Sequence, residues 1–238
     1  MSFFVWPGPA ILNMVQEETS EPMIRNQSFI LELPPEILLK IYTLVIGTCG
    51  STQQSYDIYR LGKSPISLDL LLVNRKIYAE ARLLPFQLTV FNFNQWNGTG
   101  IQYCNSFLRR ICEWQAREIR HISLGVVGVN VDRWKDNGFV DICRIVDGTK
   151  AGATGLRSLR LSISGCLAYG GEKVFDVGAP WVTEGLGKLR ALQSLEIIIV
   201  GDGAEPSVLD AFKEALQHVL PGSRVAVQMM QRRVITSF

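Results

Sequence analysis

Residues 156–165 read LRSLRLSISG, and two further segments share their pattern: IRHISLGVVG at 119–128 and LQSLEIIIVG at 192–201. Each copy carries an aliphatic residue at its first, fourth, sixth and eighth positions and glycine at its tenth. Those positions hold Ile119, Ile122, Leu124, Val126 and Gly128, then Leu156, Leu159, Leu161, Ile163 and Gly165, then Leu192, Leu195, Ile197, Ile199 and Gly201. The copies begin at 119, 156 and 192, so the period is 37 and then 36 residues. Alternation with period two marks a strand that buries one face, and the shared glycine ends each strand. A near-constant period marks a repeat architecture, in which each unit buries its core against its neighbours.

Between and around the copies lie stretches with helical character at 103–117, 138–150, 180–191 and 205–220. The last is the clearest: Pro206 stands near its start, Leu209, Phe212, Leu216 and Val219 share one side, and Pro221-Gly222 stops it. Strand, crossover helix and next strand make a βαβ unit, which requires parallel pairing and favours one hand of crossover. FQLTVFNF at 86–93 and RVAVQMM at 224–230 read as flanking strands. The expected fold class is α/β: a short right-handed solenoid of about five parallel strands.

The bulk properties narrow the function. At 238 residues the chain can bury a substantial core without disulfides. Twenty-four basic residues against 22 acidic ones give a net charge of +2, with no dense cationic run, so no nucleic-acid grip is expected. The five cysteines, Cys49, Cys104, Cys112, Cys143 and Cys166, form no C-x-x-C pair and read as buried small hydrophobes of a reducing compartment. No apolar run reaches the roughly 20 residues needed to span a bilayer. The amino-terminal stretch is broken by Pro7 and Pro9 and lacks a basic flank, unlike a signal peptide. A cytoplasmic or nuclear location with no membrane partner is the expectation.

Upstream of the repeats, LELPPEILLKIYTLV at 31–45 carries more apolar surface than one side of a helix buries. The two prolines suit a first helical turn, so a helix is expected from Pro34 or Pro35 towards Ile46. Glu36, Lys40 and Thr43 form its one polar stripe, and aliphatic residues and Tyr42 wrap the rest. Either the helix is wedged between layers of its own protein, or one of its faces belongs to a partner.

FILELPPEILLKIYTLV, followed by LDLLLVNRKIYAEARLLPFQLTVFNF, resembles an F-box. More narrowly, Ile41-Tyr42 and the group Arg75, Ile77, Tyr78, Glu80 and Ala81 are similar to the F-box-like domains of a family of fungal proteins. The repeat pattern L-x-x-L-x-L resembles the strand of leucine-rich repeats, with glycine where an asparagine usually follows. F-box domains bind the Skp adaptor of Skp-cullin-F-box ubiquitin ligases, while a carboxy-terminal repeat domain selects the protein substrate. By this resemblance Leu33, Pro34, Glu36, Ile37, Leu38 and Ile41 contribute to a Skp contact, supported by Leu71, Leu72 and Val73. Two features depart from the pattern: residues 47–65 insert a polar loop, and the later helix lacks the closing Trp. The competing reading is a leucine-rich-repeat-like scaffold in which the helical module permanently caps the first strand. The implied organisation is a tail at 1–28, an F-box-like module at 29–85 and an α/β repeat domain at 86–238.

In the strand copies the non-aliphatic positions face away from the core and stack into rows across a parallel sheet. The rows are Ser123, Arg160 and Glu196; Gly125, Ser162 and Ile198; His121, Ser158 and Ser194; and an outer row of Arg120, Arg157 and Gln193. They read either as a solvated face or as a recognition surface for an unidentified protein substrate. Exposed Ile198 and Val200, and a binding loop at 165–180, would favour recognition.

Enzyme chemistry finds no foothold. His121 falls in a strand and His218 near a helix end, neither beside a nucleophile or metal partner. VDGTKAGATG at 146–155 lacks the G-x-x-x-x-G-K-[ST] spacing of a phosphate loop, and there is neither a G-x-S-x-G elbow nor a Cys/His cluster. The expectation is a non-enzymatic interaction protein without cofactor or metal; an α/β enzyme with a site assembled from distant residues is the remaining reading.

Overall fold

The computed structural model describes residues 29–48, 55–57, 69–94, 100–127, 138–147, 155–165, 174–201 and 205–230. The strand alternation read from the three repeats organises it. Six strands, β1 (Ser55–Asp57), β2 (Val90–Phe93), β3 (His121–Val127), β4 (Ser158–Ser164), β5 (Ser194–Val200) and β6 (Arg224–Met230), form one sheet in the order of the chain. Every neighbouring pair is parallel. The repeats pair without slippage, so Leu161 lies beside Leu124 on one side and Ile197 on the other. Gly165 (φ 71°) and Gly201 (φ 145°) follow β4 and β5 in backbone conformations that side chains disfavour, which accounts for the glycine at that repeat position.

Among the described residues there are eight α-helices: α1 (Pro35–Thr48), α2 (Asp69–Val73), α3 (Arg75–Ala81), α4 (Leu84–Leu88), α5 (Gly100–Leu108), α6 (Glu113–Arg117), α7 (Phe139–Val146) and α8 (Pro206–Val219). A π-helical turn at Trp181–Gly185 and a 3-10 turn at Leu186–Lys188 stand where a regular helix is expected between β4 and β5. The stretch 103–117 is likewise divided, into α5 and α6. One core joins the aliphatic face of the sheet to Cys104 and Leu108 of α5, Ile142 and Val146 of α7, Trp181, and Phe212 and Leu216 of α8. The helices between the strands therefore lie on one face of the sheet, which requires every crossover to have the same hand.

Two strand expectations need correction. Only the second half of 86–93 is extended, because Pro85 falls in the first turn of α4 and that helix runs to Leu88. Within the segment read as a polar loop, Ser55–Asp57 is a strand that pairs with Val90–Asn92 and forms the first edge of the sheet. The remainder of 47–65, apart from the end of α1, lies outside the described residues, as do the tail 1–28 and residues 166–173 of the loop 165–180. Of that loop, Val174 is fully buried and Phe175 packs edge-on against Phe212, so its described end anchors to the core. Cys104 and Cys143 are buried as expected, whereas Cys112 is exposed at the start of α6.

Helices α1 to α4 close around a second, smaller core of Leu38, Tyr42, Ile46, Leu71, Ile77, Ala81 and Leu84. Asn74 separates α2 from α3 and caps the latter, its side chain accepting from the Lys76 N–H at 2.7 Å. The boundary expected between residues 85 and 86 falls inside α4, which belongs to both cores. Its Leu84 enters the small core and its Phe86 packs on the large one, stacking on Phe91 and meeting Trp114 edge-on. Arg82 lies over the Trp114 ring at 5.2 Å, and Gln87 donates to the Glu118 carboxylate at 2.8 Å.

Candidate functional site

Two surfaces assemble the residues singled out in the sequence. The first is the outer side of the helical module. Helix α1 buries one stripe, Leu38, Tyr42 and Ile46 at i, i+4 and i+8, so it is not wedged between layers. Ile37, Leu39, Leu44 and Val45 are exposed along the same helix, and Ile41 is half-buried. Leu33, Pro34 and Glu36 are exposed at its start, and in α2 Leu72 and Val73 are 76% and 73% exposed. Two of the expected adaptor residues are misplaced by the sequence reading: Leu38 and Leu71 are 1% and 4% exposed and hold the module together instead. They alternate with exposed aliphatics of similar size, so residue type alone does not separate them. Tyr42 Oη donates to the Glu80 carboxylate at 3.1 Å, and its burial, followed by the Glu80 hydrogen bond and charge, raises the phenol pKa.

The second surface is the face of the sheet opposite the helices. All three strand rows form in the expected register: His121 beside Ser158 and Ser194, Ser123 beside Arg160 and Glu196, and Gly125 beside Ser162 and Ile198. Arg160 Nε donates to Glu196 Oε2 at 2.6 Å. Glu196 Oε1 accepts from Gln228 Nε2 at 2.9 Å, so one carboxylate ties β4 to β6. Partly exposed pairs of this kind contribute about 0.2–1 kcal/mol each. Gln228 was not singled out in the sequence, although extending the Ser162–Ile198 row by one strand reaches it.

Three members of this face are not available for recognition. Ser123 is buried, and its hydroxyl accepts from Asn94 Nδ2 at 3.2 Å at the end of β2. Ile198 is buried rather than exposed, lying between Ser162 and Gln228 in the interior of the sheet. Arg120 is 4% exposed; its guanidinium donates to the Gly155 carbonyl at 3.1 Å and to the Glu118 carboxylate at 2.9 Å. Burial lowers its pKa despite the neighbouring carboxylate. Arg120 is thus a fastener between the starts of β3 and β4.

The outer row is also a backbone ladder. The Arg120 carbonyl accepts from the N–H groups of Arg157 and Ser158, the Arg157 carbonyl from those of Gln193 and Ser194, and the Gln193 carbonyl from that of Arg224. Arg157 and Gln193 keep their side chains in solvent, and Ser158, Ser162, Arg160 and Glu196 are half-buried. Burial first, then the charges of Arg157 and Arg120, lower the His121 pKa. Beside this row lies an open cleft of about 580 Å³, lined among others by Arg157, Arg190, Leu189, Leu220 and Ser223. Arg190 enters the site only through the irregular turn before β5, which no periodicity announces.

Among the described residues no group of three His, Cys, Asp or Glu side chains is placed to hold a metal ion, and no helix is long and apolar enough to cross a membrane. No family model, curated protein or solved structure matches the chain.

Proposed function

We propose that this protein is a non-enzymatic interaction adaptor whose F-box-like helical module docks a Skp-type partner, while its leucine-rich-repeat-like sheet domain selects a protein substrate for a ubiquitin ligase. The observation that carries the reading is the apolar surface of the module. Ile37, Leu39, Leu44, Val45, Leu72 and Val73 are all exposed on two helices whose inner sides already share a core. Large apolar side chains gathered in solvent on one small module, rather than scattered singly, mark interaction sites. Leu33 and Ile37 open the stretch that resembles the adaptor-binding helix.

The test is a pull-down of the purified chain with a Skp adaptor beside the double variant Leu33→Ala, Ile37→Glu. Both side chains are exposed, so the variant is expected to fold like the parent. Capture of the parent and loss of the folded variant support the reading; no capture of the parent removes it.

A second reading is favoured by α4. Its residues enter both cores, and the Arg82–Trp114 and Gln87–Glu118 contacts fasten the module to the sheet domain. A module held in this way acts as a cap on a leucine-rich-repeat-like scaffold, which needs no Skp partner.

A further inference from the structure

The cleft at the amino-terminal ends of β4 to β6 has a charge that its own surroundings do not balance. Arg157 and Arg190 line it, and no carboxylate does. Both side chains are exposed, and among the described residues neither guanidinium is hydrogen-bonded or ion-paired. Two acids of this corner are already hydrogen-bonded. Glu118 accepts from Arg120 and Gln87, and Asp147 accepts from the Arg190 backbone N–H at 3.1 Å. Arg224 follows the cleft residue Ser223 and is also exposed. Burial first, and then the charges of Arg157 and Arg120, disfavour protonation of the neighbouring His121.

The remaining lining is suited to a peptide. Leu189, Leu192 and Leu220 are buried in the floor, while Pro221 and Gly222 are exposed at the rim. Clefts lined by one sign of charge concentrate the field and raise the local concentration of the opposite charge. Guanidinium groups pair with carboxylates through two parallel hydrogen bonds, which gives direction as well as attraction. With an apolar floor beneath two such groups, an acidic side chain attached to a peptide backbone fits better than a free ion.

We infer that this cleft binds an acidic segment of a partner protein, with carboxylates held by Arg157 and Arg190. The inference deepens the proposed adaptor role, because it states the chemistry of the substrate that the sheet domain selects. It also assigns the recognition to the amino-terminal rim of the sheet, whereas the Arg160–Glu196–Gln228 chain on the polar face already satisfies its own charges.

The test uses the full chain and a fluorescein-labelled oligo-glutamate peptide, with oligo-glutamine as control, read by fluorescence anisotropy. The parent is expected to bind the glutamate peptide and not the glutamine one, with affinity falling as salt is raised. Arg157→Gln with Arg190→Gln should weaken binding by about tenfold or more, and Arg157→Glu with Arg190→Glu should abolish it. Equal binding by parent and variants, or no preference for glutamate over glutamine, overturns the assignment. A labelled single-stranded DNA that competes more strongly than the peptide also overturns it, since the cleft is then a general polyanion site. The same variants are carried through the Skp pull-down, where no change is expected. Skp capture without peptide binding removes only the cleft assignment, and peptide binding without Skp capture removes only the ligase reading.

Discussion

Leu38 and Leu39 are neighbours in α1 with the same side chain and opposite surroundings: Leu38 is 1% exposed and Leu39 is 50% exposed. Truncating each to alanine therefore separates the two accounts of this helix. Leu38 belongs to a core of only seven buried residues, which also holds Tyr42, Ile46, Leu71 and Leu84. Burial of a leucine this deep costs about 2–5 kcal/mol to remove, and a small core near the surface relaxes into the gap, which favours about 2–3 kcal/mol. Leu39 leaves no cavity and should change stability by no more than about 0.5 kcal/mol. For a chain of this size the Leu38 change corresponds to a fall in Tm of roughly 5–10 °C, against about 2 °C or less for Leu39. Scanning calorimetry with far-UV circular dichroism measures both, and if the module melts as a separate step the effect should be confined to that step. Equal losses from the two substitutions would refute the reasoning, because they would mean that α1 is packed on all sides.

Two further outcomes follow from buried polar groups. Arg120→Met should cost about 2–3 kcal/mol in urea unfolding, since it leaves the Gly155 carbonyl without its side-chain donor and Glu118 without its cationic partner, with only Gln87 still donating to that carboxylate, whereas Arg157→Ala should fall within about 0.5 kcal/mol; similar losses at the two positions would contradict the fastening role of Arg120. His121 has a folded pKa below its usual value of 6.5, so the unfolded chain takes up a proton first as the pH falls. Its contribution to stability is complete above that value and is lost progressively on acidification through the folded pKa. His121→Gln should accordingly flatten the decline in stability as the pH falls below the usual histidine value, and parallel profiles for the two proteins would count against this.

The parts of the fold that were legible in the sequence are those fixed by backbone periodicity. Once Leu159, Leu161 and Ile163 are placed on one face, parallel pairing at a constant repeat determines that Arg160 meets Glu196, and the structure has that pair. Elements without a period were not legible. Ser55–Asp57 is too short to alternate, and Pro85 turns the start of FQLTVFNF into a helix although its residues favour strands. Burial on the polar face was illegible for a related reason. Ser123 is covered by Asn94, which lies in a different repeat, and Arg120 turns inwards to reach the Gly155 carbonyl across 35 residues of chain. In the module, composition announced surplus apolar surface but not which residues hold the core, because Leu38 and Leu39 differ only in direction from the helix axis.

The central claim is that the exposed apolar side of α1 and α2 is a docking face, and a calorimetric titration of a Skp adaptor into the full chain tests it most directly. Saturable binding by the parent, weakened by about tenfold or more in the folded variant Leu33→Ala, Ile37→Glu, is the predicted result. No heat of binding with the parent, or equal affinity for parent and variant, would contradict it.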